Sequence, residues 1–133
     1  MNTPPIEISD QPNAEAERIL GSGLAAFNES ITGYNDRQPL TVLIKDPETH
    51  QIVGGITGKT TLGMAFLDLF HLPEHLRGSG VGRQLLQIFE DEARRRGCRN
   101  AVLYTLSFQA PGFYEKYGWV KFGEVPCEPE GSS

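Results

Sequence analysis

A glycine-rich run, Arg77-Gly78-Ser79-Gly80-Val81-Gly82, is the segment of this chain best suited to hold a ligand. It follows an apolar, strand-like stretch, Met64 to Leu72, and opens a stretch of helical apolar spacing. Small residues let the main chain approach a bound group closely. The first N–H groups of a helix have no internal partner, and the helix dipole adds partial positive charge there. That combination binds phosphate. Arg77 and Arg83 bracket the run with full charges. These residues predict a pyrophosphate site over Arg77 to Arg83.

Two familiar nucleotide motifs do not fit. Gly54-Gly55-Ile56-Thr57-Gly58-Lys59-Thr60 resembles a P-loop, which needs four residues between its first glycine and Gly-Lys-Thr. From Gly54 there are three, and Val53 stands at the required position. The sequence after it turns into a strand rather than a helix, so a hairpin is expected. The run at Gly78 to Gly82 is not a dinucleotide fingerprint either, because Leu85 stands where a third small residue belongs.

The elements around these residues follow from periodicity and turn chemistry. Ile6 to Ser9 reads as a first short strand, and Asp10 or Asn13 as the cap of a helix beginning near Ala14. Ala16, Ile19, Leu20, Leu24 and Phe27 give that helix its apolar face, weakened by Gly21 and Gly23. Ser30 to Gln38 reads as irregular. Leu40–Lys45, Gln51–Lys59 and Met64–Leu72 are expected to form an antiparallel meander, with a bulge or close approach at Gly54-Gly55. Val81, Leu85, Ile88, Phe89 and Ala93 mark one face of a helix to about Arg96, with Gly97 as its stop. Arg94-Arg95-Arg96 reads as a charged helix end beside Glu90, Asp91 and Glu92 rather than a nucleic-acid patch. Ala101–Leu106 is a buried strand, expected parallel to Met64–Leu72 in a βαβ unit. Pro111–Tyr117 is a short helix with proline in its first turn. Val120–Val125 is a last strand, and 126–133 a polar tail.

The 133 residues predict one domain with a core of its own. A net charge of −5 argues against nucleic acid as the main partner. Cys98 and Cys127 have no His or Cys at metal-ligand spacing, so reduced thiols and no metal are expected. No apolar run reaches membrane-spanning length, and the N-terminus lacks signal-peptide character. A soluble cytoplasmic domain is the expectation.

Arg77 to Gly82 matches the Arg/Gln-x-x-Gly-x-Gly/Ala loop of the GCN5-related N-acetyltransferases. Downstream, Ala110-Pro111-Gly112-Phe113-Tyr114-Glu115-Lys116-Tyr117-Gly118-Trp119 resembles that family's Ala-x-x-Phe-Tyr-x-x-x-Gly-Phe helix and strand. The pair, in this order and spacing, is strong, and the resemblance covers roughly Leu40 to Val125. It implies an α/β fold: a mixed, mostly antiparallel sheet of about six strands with flanking helices and a splayed parallel pair at its centre. It further implies acetyl-CoA as cosubstrate, lying between Met64–Leu72 and Ala101–Leu106. The pantetheine arm would pair with the backbone of Phe70, His71 and Leu72. The pyrophosphate would sit on Arg77, Gly78, Ser79, Gly80, Val81, Gly82 and Arg83. Tyr114 would be the catalytic acid that protonates the departing thiolate.

The implied reaction is attack of a primary amine, on a small molecule or a peptide, on the acetyl thioester. A phenol with a pKa of roughly 10 can donate to a thiolate without prior perturbation. An amine of pKa about 10.4 costs about 4 to 5 kcal/mol to neutralise at pH 7, so a base or a water chain must take its proton. Asp68 and His71 are the residues to test. The acceptor is expected to enter past Phe27 to Gln38 and the third strand. Two departures from the family pattern stand out. Its frequent Asn seven residues before the tyrosine is Ser107 here, with Gln109 as a compensating contact. Its usual further strand is not carried by the tail, so a short sheet, a strand from a second subunit in a homodimer, or a truncated chain is expected. A non-catalytic acyl-CoA-binding module is the alternative.

Overall fold

The computed structural model describes residues 3–133. Two compact units divide the chain after Asp36. The first carries helix α1, Ala14–Thr32. Asn13 caps it, its Oδ1 accepting from the Ala16 N–H at 2.8 Å, and Glu15 and Glu17 complement the dipole of the first turn. The helix runs past Ser30 and stops at Gly33, which takes φ 86°. The irregular stretch expected from Ser30 is therefore shorter, because its first residues complete the last helical turn.

The second unit, Arg37–Ser133, is an α/β fold built on a four-stranded mixed sheet. Its strands are β1 (Gln38–Lys45), β2 (Ile52–Thr61), β3 (Met64–His71) and β4 (Asn100–Val102), in that spatial order. The first three form the expected antiparallel meander, and β4 pairs parallel to β3. Helix α2 (Val81–Arg95) joins β3 to β4, and α3 (Pro111–Lys116) follows. Leu40, Ile56, Ala65 and Leu67 of the sheet are buried together with Leu85, Leu86, Phe89 and Ala93 of α2. Leu86 takes the place expected of Ile88, which is 45% exposed.

The sheet has four strands, not about six. Ile6–Ser9 makes no strand: prolines at 4, 5 and 12 flank it, and Ile6 and Ile8 are solvent-exposed. Val120–Val125 is also unpaired, with Val120, Phe122 and Val125 exposed, so the alternation in its sequence finds no ladder. The parallel pair consequently lies at the edge of the sheet rather than its centre. The second strand of that pair is also shorter than the expected Ala101–Leu106: β4 and its ladder end at Phe66–Val102, while β3 continues to His71.

Backbone details fix this frame. A Cβ on Gly55 would collide with Val42 O, and one on Gly58 with Phe66 O, so both glycines are demanded by close strand approach. The end of α2 is a Schellman stop, with Gly97 at φ 86°, Cys98 N–H donating to Ala93 O and Gly97 N–H to Arg94 O. Arg96 then ties α2 to the meander. Its Nη1 donates to Pro39 O at 2.9 Å and to Thr60 Oγ1 at 3.0 Å, and its Nε to Glu92 at 2.9 Å.

Candidate active site

The register of β3 against β2 shifts between Thr57 and Gly58, which leaves Asp68 as an extra residue on β3. A bulge swaps the inward parity of a strand. Ala65 and Leu67 face the core before it, whereas Phe70 and Leu72 pack inward after it. The bulge thus delivers Phe70 to the corner where α2 begins and α3 lies.

Five rings fill that corner. Phe70 meets Phe113 edge-on at 5.8 Å and Tyr114 at 6.2 Å. Tyr114 also meets Phe113 at 5.3 Å and Trp119 at 6.1 Å, and Phe113 meets Tyr117 at 5.2 Å. Edge-to-face packing of this kind holds ring orientation. Burial pushes the Tyr114 phenol above its ordinary pKa. No hydrogen bond among the described residues engages its hydroxyl.

The glycine loop joins the same corner. Gly78 and Gly80 take φ 77° and 87°, in the left-handed region open to glycine, with free space where a Cβ would stand. No side chain caps the N-terminus of α2. Gly82 is buried, and a Cβ there would meet Phe113 Cζ at 3.4 Å and Leu72 Cδ2 at 3.6 Å. Arg77 Nε donates to Leu72 O at 2.9 Å, and Ser79 Oγ to Leu76 O at 2.5 Å. The Arg83 guanidinium lies over the Tyr117 ring, 5.5 Å from its centroid. Phe70, Leu72, Arg77, Gly82, Arg83 and Tyr114 are therefore linked through contacts of one corner.

Other expected residues sit elsewhere. The Ser107 N–H donates to Ser133 O at 2.7 Å, and its Oγ accepts from the Ser133 N–H at 3.1 Å. Gln109 Oε1 accepts from Thr105 Oγ1 and from the Leu106 N–H, closing the turn. Both side chains are thus spent within the segment after β4. Asp68 is ion-paired with Lys59 at 3.5 Å, and the His71 side chain is exposed. A cleft of about 990 Å³ opens between 98–107 and 118–127, lined by Tyr114 and Trp119 but not by the glycine loop. It is the gap left where Val120–Val125 fails to pair with β4. Inside it, burial raises the Glu90 carboxyl, with Arg94 and the Trp119 indole pulling the other way. The Trp119 Nε1–H, though close enough to act on Glu90, has no acceptor in hydrogen-bond geometry among the described residues.

Comparison with known proteins settles the lineage. Residues 10–119 match the Acetyltransferase (GNAT) family. The chain belongs to the GNAT acetyltransferases. A curated acetyltransferase of Agrobacterium fabrum is 35% identical over 126 residues, 95% of this chain and 91% of the relative. A crystal structure from Agrobacterium tumefaciens superposes with TM-score 0.82 at 35% identity, covering 96% of this GNAT chain and 91% of its own. An acetyltransferase from Bacillus cereus gives 0.73 at 32% identity, with the same coverages. The blasticidin-S acetyltransferase of Streptomyces morookaense is 33% identical over 85 residues, 63% of this chain and 62% of that protein. Among the described residues no helix is long and apolar enough to cross a membrane, and no group of His, Cys, Asp or Glu is arranged to hold a metal ion.

Proposed function

We propose that this GNAT protein moves an acetyl group from acetyl-CoA to a primary amine of a small molecule or peptide, by direct attack in a ternary complex, with Tyr114 as general acid. The observation that carries this reading is the meeting of the glycine loop, the end of β3 and Tyr114 in one aromatic corner. The residues fit the cosubstrate. An uncapped helix start flanked by two left-handed glycines suits a diphosphate. Beyond Phe66, the edge of β3 facing β4 has no ladder partner, so the backbone along Phe70, His71 and Leu72 suits pantetheine through the groups that point to that edge. Acetyl-CoA supplies a thioester carbon open to an amine and a thiolate as leaving group.

The chain's own contributions are then specific. Amides of Val81, Gly82 and Arg83, with Arg77, bind the diphosphate. Phe70, Phe113 and Trp119 hold the Tyr114 ring while its hydroxyl keeps the proton that the thiolate will take. Asp68 and His71 stay the candidates for taking the ammonium proton, with water between. Acceptors with the chemistry of small amine antibiotics are favoured by the blasticidin-S acetyltransferase relative. The thiols of Cys98 and Cys127 suit a cytoplasmic enzyme. A homodimer belongs to the same reading, because the outer edge of β4 is bare and proteins cover such edges.

The test is turnover of acetyl-CoA with a panel of polyamines, amine antibiotics including blasticidin S, amino acids and peptides, followed by release of the CoA thiol. Tyr114→Phe is expected to lower turnover more than tenfold with acetyl-CoA affinity unchanged. A chain that binds acetyl-CoA and acetylates nothing would instead be an acyl-CoA-binding module, a reading favoured by the engagement of Ser107 with Ser133.

A further inference from the structure

We infer that two copies of this chain join through the cleft beside β4, each laying its Val120–Val125 segment between β4 and the same segment of the other copy. The inference rests on the homodimer of the reading above and names the strand that covers the bare edge.

Both walls of the cleft are backbone that lacks a strand partner. β4 is the last strand of the sheet, so its outer side has no neighbour. Among the described residues no main-chain hydrogen bond engages Val120 to Val125. That segment still has strand composition, with Val120, Phe122 and Val125 in six residues. The three side chains are 83%, 87% and 77% exposed. An open edge beside exposed apolar side chains is a template for pairing with another chain.

The chain's own contacts keep the cleft open. Ahead of the segment, Trp119 packs on Tyr114 with centroids 6.1 Å apart, and its N–H donates to Tyr114 O at 3.1 Å. Behind it, Ser133 bridges the two walls. Its N–H donates to Ser107 Oγ at 3.1 Å, and its Oγ donates to Glu124 at 2.8 Å. The walls are left apart by the cleft of about 990 Å³. A strand entering there finds an edge on either side, at the usual spacing of about 4.8 Å.

A second copy fills two such clefts at once. Identical segments pair antiparallel about a two-fold axis, which is an isologous contact. The order across it is β4, the second copy's segment, the first copy's segment, then the second copy's β4. Each cleft is closed by the other chain, and one sheet runs through both copies. The apolar surface is sufficient. Tyr104, 89% exposed, lines the cleft with Phe122. Four such rings from two copies, at about 150–250 Å² each, together with Val120 and Val125 reach the roughly 1,000 Å² that a specific interface needs. Tyr114 and Trp119 line the same cleft, so the incoming segment also closes the wall behind the proposed acid.

The experiment is sedimentation velocity of the full chain over a hundredfold range of concentration, with amide hydrogen exchange of 120–125 read on the same samples. The parent is expected to be a dimer with those amides protected, and to lose the protection as dilution yields monomer. Phe122→Glu, at an exposed position, is expected to weaken association more than tenfold and to free the amides, with an unchanged circular dichroism spectrum. Leu24→Glu, an equally drastic change on the exposed face of α1, is expected to leave association and protection as in the parent. Loss of the dimer in Leu24→Glu but not in Phe122→Glu would overturn the inference. So would a monomeric parent, whether its 120–125 amides are protected by closure onto their own β4 or exchange freely. A dimer in which those amides exchange freely would overturn it too, while leaving the homodimer to another surface. Calorimetric titration of the same samples with acetyl-CoA decides the cosubstrate reading separately.

Discussion

The rings of Phe70 and Tyr114 meet edge-on, 72° apart, with centroids separated by 6.2 Å. One sits at the end of β3 and the other on α3, 44 residues later by number. Their contact exists because the bulge at Asp68 turns Phe70 inward. It fixes the phenol beside the strand end on which the acyl arm lies in our reading.

Tyr114 should act over a wide pH range. Burial raises its phenol above the usual value of about 10. The neutral, proton-carrying form is therefore still the majority at pH 10, so the midpoint of any loss of kcat caused by its ionisation lies above the usual value of about 10. The same sign holds for stability: the contribution is complete below the unfolded value and is lost as pH rises through the folded one. A kcat profile from pH 6 to 10.5, for the parent and Tyr114→Phe, checks this. A tyrosine-dependent fall with its midpoint below about 10 would contradict it.

Arg96 should matter more for stability than its place in a triple-arginine run implies. Arg96→Ala removes charge-assisted bonds to Pro39 O and Thr60 Oγ1 and strands the hydroxyl of Thr60, a residue that is 3% exposed. The expected loss is about 2 kcal/mol, read from urea unfolding. Arg94→Ala, on an exposed ion pair, should change stability by less than about 1 kcal/mol.

How much was legible in the sequence follows from where the deciding contacts lie. The meander, α2 and its stop at Gly97 depend on local alternation, helical spacing and glycine, and all are found within a few residues of expectation. The glycine loop and Tyr114 were visible as motifs, but the Phe70 ring that completes their shared corner is turned inward by the bulge at Asp68. Val120–Val125 has strand alternation but no ladder, because a strand is completed by a partner and not by its own pattern. Arg96 reads as a helix-end charge from its neighbours. Its role comes from Pro39, 57 residues away. Nothing in Leu67-Asp68-Leu69 announces a bulge. Ser107 was judged by its chemistry alone, and its bond to Ser133 depends on how the tail folds back.

Glu92 should make the fold acid-sensitive. Its hydrogen bonds from Arg95 and Arg96 lower its pKa to about 2 from the usual 4.5. With the folded value depressed, the stabilisation is present above the unfolded value and fades as pH falls from about 4.5 toward 2. Glu92→Gln should flatten the dependence of the unfolding midpoint on pH in that window and leave it unchanged in slope near neutrality. An unchanged acid slope in the variant would assign the sensitivity to other carboxylates.

Glycines with positive φ should separate into two classes. At Gly63, φ is 75° and a Cβ would meet nothing within 4 Å, so Gly63→Ala costs only backbone strain, about 1 to 2 kcal/mol. At Gly55, φ is 138° and a Cβ would strike the Val42 carbonyl oxygen and lie 2.9 Å from Leu43 Cα. Backbone on the neighbouring strand cannot swing aside as a side chain can, so Gly55→Ala must part β1 from β2. Because Leu40 of β1 lies in the same core as Leu86 and Phe89 of α2, that parting reaches the helix that follows the glycine loop. Gly63→Ala should therefore lower the unfolding midpoint while keeping acetyl-CoA affinity. Gly55→Ala should lose both cooperative unfolding and acetyl-CoA binding, and equal effects of the two substitutions would show that β1 and β2 do not approach as closely as described.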